Sequence, residues 1–121
     1  MKLFIVDDSE VLRDRLSEMA SNIEGVKVVG EAENSVEALK AIDSAKPDVV
    51  ILDLRMPGGD GIGALEVLKK KKPPLKVIVF TNHPYLQYRK RCLDAGADFF
   101  FYKATEFETM IDLLEHLAKV Y

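Results

Sequence analysis

The sequence predicts an α/β protein, a doubly wound parallel sheet of five strands with five helices. Three observations carry that expectation. Four short apolar runs, Leu3–Val6, Val49–Leu52, Val77–Phe80 and Phe99–Tyr102, are continuous rather than alternating, as strands buried on both faces are. Segments of helical period lie between them. Each run stops at a polar residue suited to phosphate or metal chemistry: Asp7 and Asp8, Asp53, Thr81 and Lys103 in turn. The carboxyl ends of parallel strands share one edge of a sheet, where open α/β folds bind ligands. Three carboxylates, a hydroxyl and an ammonium are therefore expected to converge on one pocket.

After the first strand, Leu12, Leu16, Met19, Ala20 and Ile23 recur at three- and four-residue steps and predict a helix from about Ser9 to Asn22. A second strand, Val26–Ala32, follows. Asn34 and Glu37 have capping-box spacing and open a helix through Ala38, Leu39 and Ile42 that ends before Pro47. The third strand comes at once. Beyond Pro57, Gly58 and Gly59, Asp60 is expected to cap a helix bearing Ile62, Leu65 and Leu68, which closes in Lys69–Lys72, where positive charge suits the carboxyl-terminal dipole, before Pro73 and Pro74. Tyr85, Tyr88, Arg89, Lys90 and Arg91 place an aromatic and basic surface on the fourth helix. In the last helix Thr105 and Glu108 are spaced as a capping box, and Phe107, Met110, Ile111, Leu114, Leu117 and Ala118 form its apolar stripe.

The 121 residues suit one domain, 1–121, with no effector domain and a core that needs neither disulfide nor structural metal. A net charge of -3 gives no global attraction to nucleic acid, so direct DNA binding is not expected. Cys92 is the single cysteine and is read as a core residue. The amino-terminal apolar run meets Asp7 too soon for a signal peptide, and no stretch nears the ~18 residues of a membrane span. A cytoplasmic protein is expected. His116, on the polar side of the last helix, is read as solvated.

Consecutive carboxylates at a strand end repel each other unless a cation or protons intervene. Mg2+ suits such a set, since it prefers oxygen ligands and is commonly held by one or two carboxylates plus phosphate oxygens. With two histidines and one cysteine, well separated, a dedicated zinc site is disfavoured. Asp53 is a candidate nucleophile toward phosphorus, giving an aspartyl phosphate. Mg2+ and the Lys103 ammonium would balance the three carboxylates in formal charge. A phosphoryl group brings roughly -1.5 to -2 charge while replacing one carboxylate charge, so donors such as the Thr81 hydroxyl gain value.

The sequence resembles the response-regulator receiver domain, the CheY-like module of two-component signalling, over essentially its whole length. The resemblance lies in Phe4–Asp8, Val50–Gly58, Val77–Thr81 and Ala95–Asp98 leading to Lys103. It implies the strand order 2-1-3-4-5. It also implies that Asp53 is the phosphoacceptor and, with Asp8, a direct Mg2+ ligand, that Asp7 acts through a water, and that the Arg55 backbone carbonyl is a third protein ligand. Thr81 matches the switch hydroxyl, Lys103 the phosphoryl-contacting lysine and Phe100 the switch aromatic, although a buried strand accounts for Phe100 equally well. The implied function is a phosphoacceptor in phosphorelay signalling rather than an enzyme. Its partners would be a histidine kinase or phosphotransfer domain, and an output protein, or a second copy after phosphorylation, on the face of the fourth helix, fifth strand and fifth helix.

Two departures stand out, with two residues at variable positions beside them. Ala104 replaces the proline usual after the lysine, and since a cis bond there would cost ~2.5 to 4 kcal/mol the loop is expected to be trans. Asn82 replaces a small residue. Arg55 and His83 occupy variable positions that tune phosphoryl lifetime. Two other functions stay open: a phosphorylation-independent binding module with the same fold, and a haloacid-dehalogenase-type phosphatase. The phosphatase wants a second acid two positions after its nucleophile, where this chain has Arg55.

Overall fold

The computed structural model describes residues 1–56, 59–82 and 86–121, with only the backbone described at 56, 59 and 60. Pro57, Gly58, His83, Pro84 and Tyr85, and the side chain of Asp60, on which the third helix cap was expected to rest, lie outside the described residues. In chain order the elements are β1 (Lys2–Val6), α1 (Glu10–Ser21), β2 (Lys27–Ala32), α2 (Ser35–Ala45), β3 (Val49–Leu52), β4 (Arg55–Met56), β5 (Gly59–Asp60), α3 (Gly61–Lys71), β6 (Lys76–Thr81), α4 (Leu86–Asp94), β7 (Phe99–Tyr102) and α5 (Phe107–Ala118). Strands β4 and β5 form a small antiparallel ribbon that the sequence did not announce. The other five make one parallel sheet in the order β2-β1-β3-β6-β7, which is 2-1-3-4-5 when the sheet strands alone are counted.

The continuous apolar runs are explained by helices on both faces. Successive strand side chains point to opposite sides. In β1, Leu3 and Ile5 therefore join Leu16, Ala20, Met110 and Leu114 beneath α1 and α5. Phe4 and Val6 join Ala38, Ile42, Leu65 and Cys92 beneath α2, α3 and α4. Every residue of β3 is buried. Cys92 is a core residue, and His116 is exposed, as the sequence suggested.

Two helix starts fall where the sequence places them, the second with the cap residue it predicts. The Ser9 hydroxyl accepts the Leu12 N–H at 3.2 Å, and the Asn34 side chain accepts the Glu37 N–H at 2.9 Å. The expected Thr105 cap of α5 does not form. Glu106 is the cap residue and makes no side-chain cap bond, because the chain leaving β7 has already turned. The Glu106 N–H donates to the Tyr102 carbonyl at 2.9 Å, and the Glu106 carboxylate accepts the Tyr102 N–H at 3.1 Å. That closed turn moves the helix start one residue on and leaves Thr105 exposed.

Two glycines of α3 differ in their surroundings. A Cβ on Gly61 would lie 2.5 Å from the Leu54 Cα and 2.9 Å from its carbonyl oxygen, whereas one on Gly63 meets nothing within 4 Å. Backbone cannot rotate away as a side chain can. Gly61→Ala is expected to destabilise the fold by about 1–3 kcal/mol through overpacking. Gly63→Ala is expected to stabilise it by about 0.5–1 kcal/mol through helix propensity. Urea midpoints of the two variants should move in opposite directions; equal shifts would contradict the Leu54 contact.

Candidate functional site

The site is placed by overhangs of the sheet ladder. Strands β1 and β3 are adjacent, with Val6 opposite Leu52, and they flank the point where strand order reverses. The first residue beyond each strand continues the pairing: Asp7 N–H donates to the Ala32 carbonyl at 3.0 Å and Asp53 N–H to the Val6 carbonyl at 2.9 Å. Beyond β7, Lys103 N–H donates to the Thr81 carbonyl at 2.9 Å. Asp7, Asp53 and Lys103 are thus fixed through their backbones before their side chains interact.

The Lys103 ammonium sits between two carboxylates, 2.6 Å from Asp7 Oδ2 and 2.8 Å from Asp53 Oδ2. Both aspartates are buried, while Asp8 is exposed at the rim. One oxygen from each of Asp7, Asp8 and Asp53 lies within 4.8 Å of the others. An all-oxygen donor set with a solvent-facing side fits a hard divalent cation that keeps part of its water shell. Asp7 Oδ1 accepts the Ser9 N–H at 2.9 Å, and Asp53 Oδ1 accepts the Arg55 N–H at 3.0 Å. Arg55 therefore meets Asp53 through its amide, and its side chain is exposed.

Thr81 is the wholly buried last residue of β6 and Asn82 is exposed beyond it. Phe100 lies in the core beneath α4, edge-on to Tyr102 with ring centroids 5.2 Å apart, and the Arg89 guanidinium lies 5.7 Å from its ring. His83 is outside the described residues. The peptide joining Lys103 to Ala104 is trans, as expected with alanine in place of proline. Two partners of the site escaped the sequence reading: Ser9, read only as a helix start, and Arg13, whose guanidinium donates to the Asp7 backbone carbonyl at 2.5 Å. A basic residue one turn into a helix, opposing the macrodipole, was the available signal for Arg13.

Burial pushes the Asp7 carboxyl above its ordinary 3.8, and the Asp53 charge adds to this, outweighing the hydrogen bonds from Lys103 and the Ser9 amide. Burial alone would lower the Lys103 ammonium, but its bonds to Asp53 and Asp7 hold it above its ordinary 10.5. The site keeps its cation charged and makes one anion costly.

A family model described as the response regulator receiver domain matches residues 3–115. The chain belongs to that family, whose members serve two-component signalling. It is 33% identical over 117 residues to response regulator GacA of Pseudomonas aeruginosa, covering 97% of this chain and 55% of that protein. The chain thus spans about half the length of the curated relatives it matches. Among solved structures it resembles the isolated receiver domain of RcsB from Salmonella enterica serovar Typhimurium, determined with phosphomimetic BeF3- (TM-score 0.81, 31% identity, 86% of this chain and 78% of that one). It also resembles the signal receiver domain of a DNA-binding response regulator from Colwellia psychrerythraea (TM-score 0.89, 26% identity, 98% of each). No helix among the described residues is long and apolar enough to cross a membrane.

The Asp7 shift has a testable sign. A carboxyl with a raised folded pKa favours the folded state below its unfolded value, and that advantage is lost as pH rises through the folded value. In chelator, the stability of Asp7→Asn relative to wild type is expected to climb as pH rises from about 3.8 and then level off. Parallel urea midpoints for the two proteins from pH 3 to 8 would contradict a penalty on ionised Asp7.

Proposed function

We propose that this receiver domain accepts a phosphoryl group on Asp53 from the phosphohistidine of a histidine kinase or phosphotransfer domain. The observation that best supports this reading is the Lys103 ammonium clasped between Asp7 and Asp53, with Asp8 alongside. An Asp53 carboxylate oxygen forms the bond to phosphorus, the phosphorus–nitrogen bond of the donor breaks, and the departing imidazole nitrogen takes a proton. Asp8 and Asp53 would bind Mg2+ directly, Asp7 through a water, and the Arg55 backbone carbonyl would complete the protein ligands. The ion supplies positive charge to the phosphoryl oxygens. Lys103 exchanges its Asp53 contact for a phosphoryl oxygen, and the Thr81 hydroxyl donates to another. By the family resemblance, the residue types at Asn82, Arg55 and His83 tune the lifetime of the modified group.

Modification leaves the site more negative than before, which draws Lys103 and Thr81 toward the new group. Thr81 moving inward makes room for Phe100 to change position and so reshapes the face of α4, β7 and α5. The change is a population shift, so the output partner, a protein or a second copy of the chain, must bind one face better than the other. Slow loss of the phosphoryl group to water would reset the domain, and no turnover of an external substrate is assigned. The domain is proposed to act in the cytoplasm as a single folded unit, its output through protein contact rather than direct nucleic-acid binding.

Intact mass after incubation with a small phosphodonor tests the reading. A Mg2+-dependent gain of one phosphoryl group, absent in Asp53→Asn, is expected; equal labelling of the variant would move the acceptor elsewhere. No labelling of the wild type under conditions that preserve acyl phosphates would favour a phosphorylation-independent binding module. Lys103→Ala is expected to retain some modification yet leave the backbone amide shifts of Phe100 and Tyr102 unmoved on labelling. Wild-type shift changes in that variant would remove Lys103 from the coupling.

A further inference from the structure

Arg13 stands one turn into α1, where a cation opposes the helix dipole, yet its side chain is only 14% exposed. Its guanidinium has two partners. One nitrogen donates to the Asp7 backbone carbonyl at 2.5 Å, and Nε lies 3.6 Å from the Glu31 carboxylate on β2. The carbonyl has a specific need. Strands β1 and β2 pair through Val6 and Ala32, and the Asp7 N–H makes one further bond to the Ala32 carbonyl, after which β2 has ended. The carbonyl of this buried residue takes its donor from α1 instead.

That carbonyl belongs to the peptide joining Asp7 to Asp8, so its orientation sets the direction in which both carboxylates leave the chain. We propose that Arg13 is a positioning residue for the acidic pair, holding the peptide so that Asp7, Asp8 and Asp53 present their oxygens together to Mg2+. The inference rests on the receiver reading of the site. Arg13 does not touch the reacting groups. It acts on the backbone that carries two of them, and Glu31 holds the guanidinium from the far side.

A nearby cation is the competing explanation, and it predicts the opposite sign. Glu10, Asp14, Glu31, Glu33 and Glu37 line a hollow with Arg13. If the guanidinium acted only through its charge, removing it would leave the region more negative and tighten Mg2+ binding. If it positions the peptide, removing it weakens binding. Partners behind a metal ligand commonly contribute about tenfold or more in affinity.

Mg2+ titrations followed by backbone amide shifts, on protein shown to be folded by circular dichroism, separate the two. Arg13→Met keeps the aliphatic stem and is expected to weaken Mg2+ binding about tenfold, with Asp8 and Ser9 amide shifts altered before metal is added. Arg13→Lys retains a donor and is expected to recover most of the affinity. Unchanged or tighter binding in Arg13→Met, or no recovery with lysine, would overturn the proposal. Failure of the wild type to bind Mg2+ would overturn the receiver reading on which it rests. Should Arg13→Met not fold, Arg13→Lys paired with Glu31→Gln decides: both near wild-type affinity supports positioning, and loss in Arg13→Lys opposes it.

Discussion

Two buried carboxylates that share one ammonium set the terms for the rest of this domain. Asp7 and Asp53 leave adjacent parallel strands side by side, and Lys103 bonds both. Without that cation the pair would face each other across a desolvated gap, where like charges are expensive. Lys103 does not remove the whole cost, since burial still holds the Asp7 carboxyl above its ordinary range. With Asp8 at the rim, the cluster carries three formal negative charges against one positive. It is short of positive charge, and such a shortage in an all-oxygen set suits the hard divalent cation proposed for the site.

The sheet makes this arrangement affordable. Parallel order β2-β1-β3-β6-β7 brings the ends of four strands to one edge, and the ladder continues for one residue past three of them. The backbone bonds of Asp7, Asp53 and Lys103 fix where the charges start, so little side-chain freedom remains to relax the repulsion. Helices on both faces bury β3 completely and β1 and β6 beyond their first residues, and among the described residues the interiors of these three strands carry no polar side chain. Stability resides in the strand interiors and chemistry at their ends. That division explains why the continuous apolar runs could be read as strands and their terminators as a site.

What was legible followed from local rules that the tertiary structure does not oppose. The bounds of β3 and β7, the helix start near Ser9, the cap at Asn34 and the strand-end residues each depend on a short window of sequence. Asp7 and Asp8, consecutive in sequence, differ in burial because only Asp7 lies on the ladder; sequence treats them as a pair. Thr105 looked like a cap because serine and threonine suit that role locally. Glu106 displaced it through bonds to Tyr102 that depend on how the chain leaves β7. The ribbon of β4 and β5 has no apolar signature, and Arg13 has a partner six residues earlier that is a backbone carbonyl. Contacts to backbone atoms leave little imprint on residue patterns.

The loop after Lys103 shows how a departure from the family pattern is compensated. Proline at position 104 would restrict the chain there; Ala104, on a trans peptide, leaves more conformations open to the unfolded chain and more to the folded loop. Glu106 restores the restriction from the other side. Its carboxylate takes the Tyr102 N–H and its own N–H bonds the Tyr102 carbonyl, so both polar groups of the residue before Lys103 are tied to the start of α5. Lys103 itself is tied to Thr81. A cation that must span two carboxylates within 2.8 Å needs a fixed origin for a long side chain, since lysine otherwise gives up substantial rotamer entropy. The same turn links the site to the face of β7 and α5. Under the proposed phosphoryl transfer, displacement of Lys103 toward the new negative charge would pull on Tyr102 and, through it, on the first turn of α5.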